Sequence, residues 1–360
     1  MKKRWGSMLS VVLVAALFST SGQVLAADPV TKSSAEELFG SSSRDYNTEA
    51  YGLPEITVPE KINSLVLSQK EVALEHNGES VFVDAVGELA EGSFINLGQK
   101  AVWSSDNTDV VFADAGRLLA IGAGKATVTV EYGGIKEVIE VSVAKTLDLQ
   151  KEVETLEATK VGTISPFGFS ASDRTTVVDK AKGMVNMTWT PTKDVRGWKN
   201  NTTFKANTKY TGMPYSQTEN QKDKDGFTKA MSATDFYTNY TRFDIIMPRY
   251  GNDCSGFVSF AWGISRQTTS GFVSGIQDGT YAKVGTYNSS TPTKADLKAA
   301  YKKLAAGDAV VKSGHTFLIA SNDTTNSKVY AYEQTPNLAV YTTWTYESMG
   351  SDGYMPYTKK

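Results

Sequence analysis

The 360-residue chain has one cysteine, two histidines, ten prolines and no strong excess of either charge. A single cysteine excludes a disulfide-stapled scaffold within the chain. His76 and His315 are too few for a histidine-rich metal centre, so neither a metal nor another cofactor is expected. The balance of 37 basic and 39 acidic residues excludes a histone-like coat for nucleic acid, and no nucleic-acid partner is expected. The apolar run from Met8 to Phe18 falls well short of the roughly 20 residues that a bilayer requires, and no later stretch is more apolar, so no membrane anchor is expected. What the chain does have is 40% hydrophobic residues, with 17 Tyr and 15 Phe, enough to fill one or two ordinary cores.

The early apolar run follows Lys2, Lys3 and Arg4 and closes on Val24-Leu25-Ala26-Ala27. That is the order of a secretory signal peptide, assigned here to residues 1–27, and it predicts a protein that is secreted or associated with a cell wall. Residues 28–59 mix Ser, Thr, Glu and Gly with Pro29, Pro54 and Pro59 and read as a linker. Charge then divides the rest. Asp28 to Ile164 carries 11 basic and 23 acidic residues, whereas Ser165 to Lys360 carries 23 basic and 16 acidic. Such asymmetry predicts two domains, either attracted to each other or with the basic one suited to an anionic polymer.

From Ile62 onward, short alternating apolar runs recur between turn residues: 65–67, 80–83, 101–103, 110–112, 118–121, 126–132 and 138–143. Runs of this length and spacing predict an all-β sandwich over 60–144. Trp103 is its expected core residue, and His76, beside Asn77-Gly78, is expected in an exposed turn. The order Trp103-Ser104-Ser105-Asp106-Asn107, Ala115-Gly116-Arg117-Leu118 and Gly122-Ala123-Gly124-Lys125-Ala126-Thr127-Val128 resembles a bacterial Ig-like domain of group 2. The resemblance implies a spacer or adhesive module of a surface protein. Residues 145–164 change character and predict a connector, either a short helix or an extended spacer.

The one cysteine lies in Asn252-Asp253-Cys254-Ser255-Gly256-Phe257-Val258. Asp253 is a good N-cap, and the spacing of Phe257, Phe260 and Ala261 predicts a buried helix with Cys254 in its first turn. Unpaired N–H groups and the positive end of the helix dipole there favour a thiolate. A thiolate nucleophile requires an imidazole. His315 opens the run His315-Thr316-Phe317-Leu318-Ile319-Ala320, a predicted strand with His315, Phe317 and Ile319 on one face. The imidazole in turn requires an acceptor on its second nitrogen. In the next predicted strand, Lys328 to Gln334, Glu333 shares the apolar face of Val329 and Ala331, while Gln334 lies with Tyr330 and Tyr332. Parity favours Glu333, with Gln334 as the second choice.

Asp253-Cys254-Ser255-Gly256-Phe257-Val258, Ala306-Gly307-Asp308-Ala309-Val310-Val311 and His315 together resemble the NlpC/P60 superfamily of cysteine peptidases, with a Glu-Gln pair more like that of the related CHAP amidases. The resemblance covers about 165–360 and implies an α+β papain-like domain that cuts peptidoglycan stem peptides. It implies further that Tyr215, in Tyr210-Thr211-Gly212-Met213-Pro214-Tyr215, lies near the nucleophile, and that Asp253 and Ser255 contact substrate. For Asp253 the plainer role of helix cap stays open. The expectation is a multidomain wall hydrolase working through Cys254, His315 and Glu333, with peptidoglycan or another anionic wall polymer as partner. An N-acetylmuramoyl-L-alanine amidase, a peptidase on another protein, an acyl transferase and a non-catalytic surface adhesin are the alternatives.

Overall fold

The computed structural model describes residues 61–159, 170–242 and 245–360. The expected signal peptide and linker, with the last part of the connector, lie outside the described residues. The first segment forms ten strands: β1 (Ile62–Leu67), β2 (Glu71–His76), β3 (Ser80–Phe82), β4 (Ala85–Leu89), β5 (Phe94–Asn96), β6 (Val102–Ser105), β7 (Val111–Asp114), β8 (Arg117–Ala120), β9 (Gly124–Tyr132) and β10 (Ile135–Lys145). They make sheets β1-β4-β5, β3-β8-β7 and β2-β10-β9-β6, antiparallel except where β2 runs parallel to β10. One core lies between them, including Leu65, Leu74, Trp103, Leu118, Val128 and Ile139. Trp103 is central to it, and its indole N–H donates to the Gly98 carbonyl at 2.9 Å.

Three of these strands, β2, β4 and β5, were not among the expected runs. The partner of β2, the segment Glu140–Lys145 of β10, is remote in sequence, while β4 is interrupted by Gly87 and β5 has three residues. His76 is also not in an exposed turn. It ends β2 on the buried face of Val72 and Leu74, with Nε2 3.3 Å from Glu79 and Nδ1 2.7 Å from the Asn77 carbonyl oxygen.

The remaining residues build a second, mixed unit. Its helices are α1 (Leu149–Thr159), α2 (Ala171–Asn186), α3 (Lys224–Ala230), α4 (Cys254–Trp262), α5 (Thr269–Asp278), α6 (Lys294–Tyr301) and α7 (Tyr346–Ser351). Its six-stranded antiparallel sheet takes β11 (Ala282–Lys283), β12 (Ala309–Lys312), β13 (His315–Asp323), β14 (Lys328–Gln334), β15 (Ala339–Thr345) and β16 (Met355–Thr358) in the order β11-β16-β12-β13-β14-β15. A capping box starts α2, in which the Ser170 hydroxyl accepts from Asp173 N–H while the Asp173 carboxylate accepts from Ser170 N–H. Helix α1 is more than a spacer, since Leu149 and Val153 are buried in the core of the mixed unit. The chain is therefore multidomain and largely β-rich, with few helices.

The two units touch along one side. The Thr343 N–H donates to the Gly78 carbonyl at 2.8 Å, and Phe82 of β3 meets the Trp344 ring at 6.4 Å. The β7–β8 hairpin reaches furthest. Its turn residues Ala115 and Gly116 both have positive φ, 49° and 86°, the pattern of a two-residue hairpin that matches strand twist. A side chain at Gly116 would press on the Val83 carbonyl. Asp114 and Arg117, flanking the turn, both point into the mixed unit.

Candidate functional site

Cys254 begins α4, with Asp253 as the N-cap residue, as the local pattern predicts. The Asp253 Oδ1 accepts from Gly256 N–H at 2.6 Å and from the Ser255 hydroxyl at 2.9 Å. Its Oδ2 accepts from Gln221 at 2.5 Å and Arg266 at 2.6 Å. Asp253 and Ser255 are fully buried, and these contacts make Asp253 the organiser of the helix start. Burial pushes its carboxyl up to about 6, against the hydrogen bonds that favour the anion.

The far end of α4 is also held. The Trp262 indole donates to Gly307 O at 2.9 Å, and Gly307 N–H donates in turn to Ile319 O of β13. Asp308 accepts from Ala305 N–H and from Arg174 of α2, so the Gly307-Asp308 segment fastens helices to the sheet. At the Cys254 end, the segment Met213 to Ser216 spans from α4 to the sheet. Tyr215 pairs with Asn252, Tyr215 N–H donates to Asn337 O at 3.0 Å, and Gln334 Nε2 donates to Met213 O at 3.1 Å. This spanning segment sets the start of α4 beside the strand end that carries Glu333.

The second ring nitrogen of His315 is accounted for geometrically. His315 Nε2 lies 2.8 Å from Glu333 Oε1, whereas Gln334, on the opposite face of β14, is engaged with Met213 and Thr335. The choice between the two neighbours thus falls on Glu333, as strand parity predicts. Glu333 Oε2 also accepts from Thr342 Oγ1 at 2.7 Å and Trp344 Nε1 at 3.0 Å. Arg117 of β8 grips both carboxylate oxygens, Nη1 on Oε1 and Nη2 on Oε2 at 3.1 Å, and its guanidinium lies 4.8 Å from the Trp344 ring centroid. Burial opposes the Glu333 charge, but Arg117 and the His315 hydrogen bond outweigh it and hold the carboxyl well below the usual range. An ionised carboxylate only accepts, so Nε2 carries the ring proton and the imidazole lone pair is on Nδ1. Burial lowers the proton affinity of His315, Glu333 raises it, and Arg117 and Lys312 lower it again.

Tyr215 is buried, with its hydroxyl accepting from Gln217 Nε2 at 2.8 Å and its ring edge-on to Trp198. Burial, and then the charges of Cys254 and Asp253, push its phenol well above the ordinary range. Cys254 is 1% exposed and His315 and Glu333 are 0%, so all three residues lie beneath the surface. Among the described residues no cluster has the composition of a metal site, and no helix is long and apolar enough to cross a membrane.

Sequence reasoning missed Arg117, Thr342 and Trp344. Arg117 did leave a signal, a lone cation in the apolar run Arg117-Leu118-Leu119-Ala120, where burial demands an anion. No family model matches the chain, and no curated protein matches it. Two solved structures are similar over 24% of this chain: S-layer protein SbsC domains 4 and 5, at 15% identity and TM-score 0.21, and S-layer protein SbsC domains 5-6, at 16% and 0.20. The matched region covers 54% and 44% of those chains, about half their length.

Proposed function

We propose that the protein is a cysteine hydrolase of peptidoglycan stem peptides, with a papain-like catalytic domain akin to NlpC/P60 enzymes following an Ig-like domain, and that it acts outside the cytoplasm. The observation that carries the reading is the His315–Glu333 pair at 2.8 Å, in the tautomer that leaves Nδ1 as base, on the sheet against which the Cys254 helix packs. Cys254 Sγ attacks an amide carbonyl and its proton passes to His315. The C–S bond forms and the C–N bond breaks, and the amine departs with that proton. Water then attacks the thioester, giving its proton to His315, which returns it to the thiolate as the acid leaves. The Cys254 N–H, at the start of α4, suits the oxyanion, and the Tyr215 hydroxyl is assigned here an assisting role.

Mass spectrometry of purified peptidoglycan after digestion tests this reading. The full-length protein is expected to release stem-peptide fragments. Cys254→Ala and His315→Ala are expected to lose at least about a hundredfold in rate while keeping the wild-type circular dichroism. Full activity in either variant would remove the pair from the mechanism. The burial of Cys254, His315 and Glu333 favours one second reading, an inactive surface adhesin. A thiol unreactive to iodoacetamide near neutral pH, with no fragments from walls of several chemotypes, would decide for it.

A further inference from the structure

Glu333 is fully buried yet hydrogen-bonded by four side chains, one of them from outside its own unit. His315, Thr342 and Trp344 lie in the mixed unit, whereas Arg117 is carried by the β7–β8 hairpin of the β unit. The hairpin is pinned on its other flank as well. Asp114 Oδ1 accepts from Asn201 Nδ2 at 3.1 Å and lies 3.4 Å from Lys199 Nζ, so the tip is held at two points about the tight Ala115-Gly116 turn. Arg117 is 4% exposed and stacked on Trp344, which itself donates to Glu333. A fork held this way fixes the rotation of the carboxylate as well as its charge.

We propose that Arg117 is a positioning residue of the His315–Glu333 pair, so that the catalytic site is composite and the β unit is a working part of it. Arg117 turns Oε1 toward Nε2, and Glu333 in turn holds the imidazole with Nδ1 as its basic nitrogen. A carboxylate that loses the fork keeps only neutral donors and the imidazole. It then draws a proton onto His315 and ceases to fix a neutral base. Other charged or titratable groups near the ring are Lys312 at the end of β12 and Tyr354 before β16, and neither replaces the two-pronged contact. This inference rests on the hydrolase reading for its consequence on rate, but its effect on the imidazole is independent of substrate.

The test uses the full-length chain with Arg117→Gln and Arg117→Lys. With only two histidines, the imidazole nitrogens are readable by NMR, and His315 is identified by the signal lost in His315→Gln. In Arg117→Gln the titration of His315 is expected to move upward and the pH dependence of Cys254 alkylation by iodoacetamide to move with it. Peptidoglycan release is expected to fall ten- to a hundredfold in kcat, on the order seen for groups that orient a catalytic ligand, with KM nearly unchanged. Arg117→Lys keeps the charge without the fork, and is expected to restore the titration while recovering only part of kcat. A folded Arg117→Gln protein whose His315 titration and alkylation profile match the wild type would overturn the proposal. If Arg117→Gln does not fold, Arg117→Lys decides by rate, because a wild-type kcat with a one-pronged donor would overturn the role of the fork. A shifted His315 in Arg117→Gln, with no fragments released by the wild type, would uphold the composite pair and remove the hydrolase reading instead.

Discussion

Two buried groups at the site pull stability in opposite directions with pH. Asp253 has its proton affinity raised by burial from 3.8 to about 6, so the folded state binds more protons than the unfolded one across that window. Its contribution is fully present below 3.8 and is lost as pH rises through about 6. The affinity of His315 is lowered from 6.5, so its contribution is present above that value and is lost as pH falls. Asp253→Asn retains a good N-cap and removes the buried charge. Relative to wild type it is expected to gain stability as pH is raised from 4 to 7, by up to a few kcal/mol, measured by urea unfolding at each pH. A constant difference across that range would mean that Asp253 titrates normally. At this scale the sequence was informative wherever chemistry is local. The cap, the thiol at a helix start and the parity that selects Glu333 over Gln334 all follow from neighbours within a few residues. The Arg117 fork does not, because its two partners are 216 positions apart.

Among the elements, the spanning segment before Tyr215 is tightly held at its start. Gly212 has φ of 94°, and a Cβ there would collide with the Ala339 carbonyl oxygen. Gly212 N–H donates to Met187 O, and its own carbonyl accepts from the Trp189 indole, so the residue cannot rotate away without losing both. Gly212→Ala is expected to cost about 1–3 kcal/mol in urea unfolding, from backbone strain and the displaced carbonyl. It is also expected to slow peptidoglycan release, because Tyr215 moves with the segment. Unchanged stability would mean that β15 yields easily at Ala339. The sequence marked this stretch through Gly212-Met213-Pro214-Tyr215, but its attachment to Asn252 and Asn337 is tertiary and carries no periodic signal. The same holds for β2, whose alternation is plain in Glu71–His76 yet whose parallel partner is in β10. Alternation likewise accounts for the buried His76, since a residue two positions beyond Leu74 shares its face.

At the scale of the whole molecule, the acidic and basic halves meet through few but buried contacts. Screening by salt acts weakly on such a pair, so the Arg117 fork should hold where surface ion pairs fail. Phe82 offers a way to loosen the junction through Trp344 while leaving Arg117, His315 and Glu333 unaltered in sequence. Its ring meets Trp344, and its loss is expected to cost about 1 kcal/mol and to split one calorimetric unfolding transition into two. Two transitions already in the wild type would mean that the units melt independently despite the fork. The charge asymmetry in the sequence pointed to mutual attraction as one option. Of the ion pairs described across the junction, Asp114–Lys199 follows that sense, whereas Arg117–Glu333 runs against it, a cation of the acidic half on an anion of the basic half, and neither could be read from net charge.

The long span between Arg117 and Glu333 also sets an order in time. A chain made from its N-terminus completes the β unit and presents the guanidinium well before the carboxylate that it grips exists. The cysteine helix follows, and β13 brings the imidazole before β14 brings its acceptor. Thr342 and Trp344, the last donors to Glu333, come later still. A nascent copy therefore cannot complete the cluster around Glu333 until β15 has been made, so the β unit is formed first and is locked to the mixed unit late.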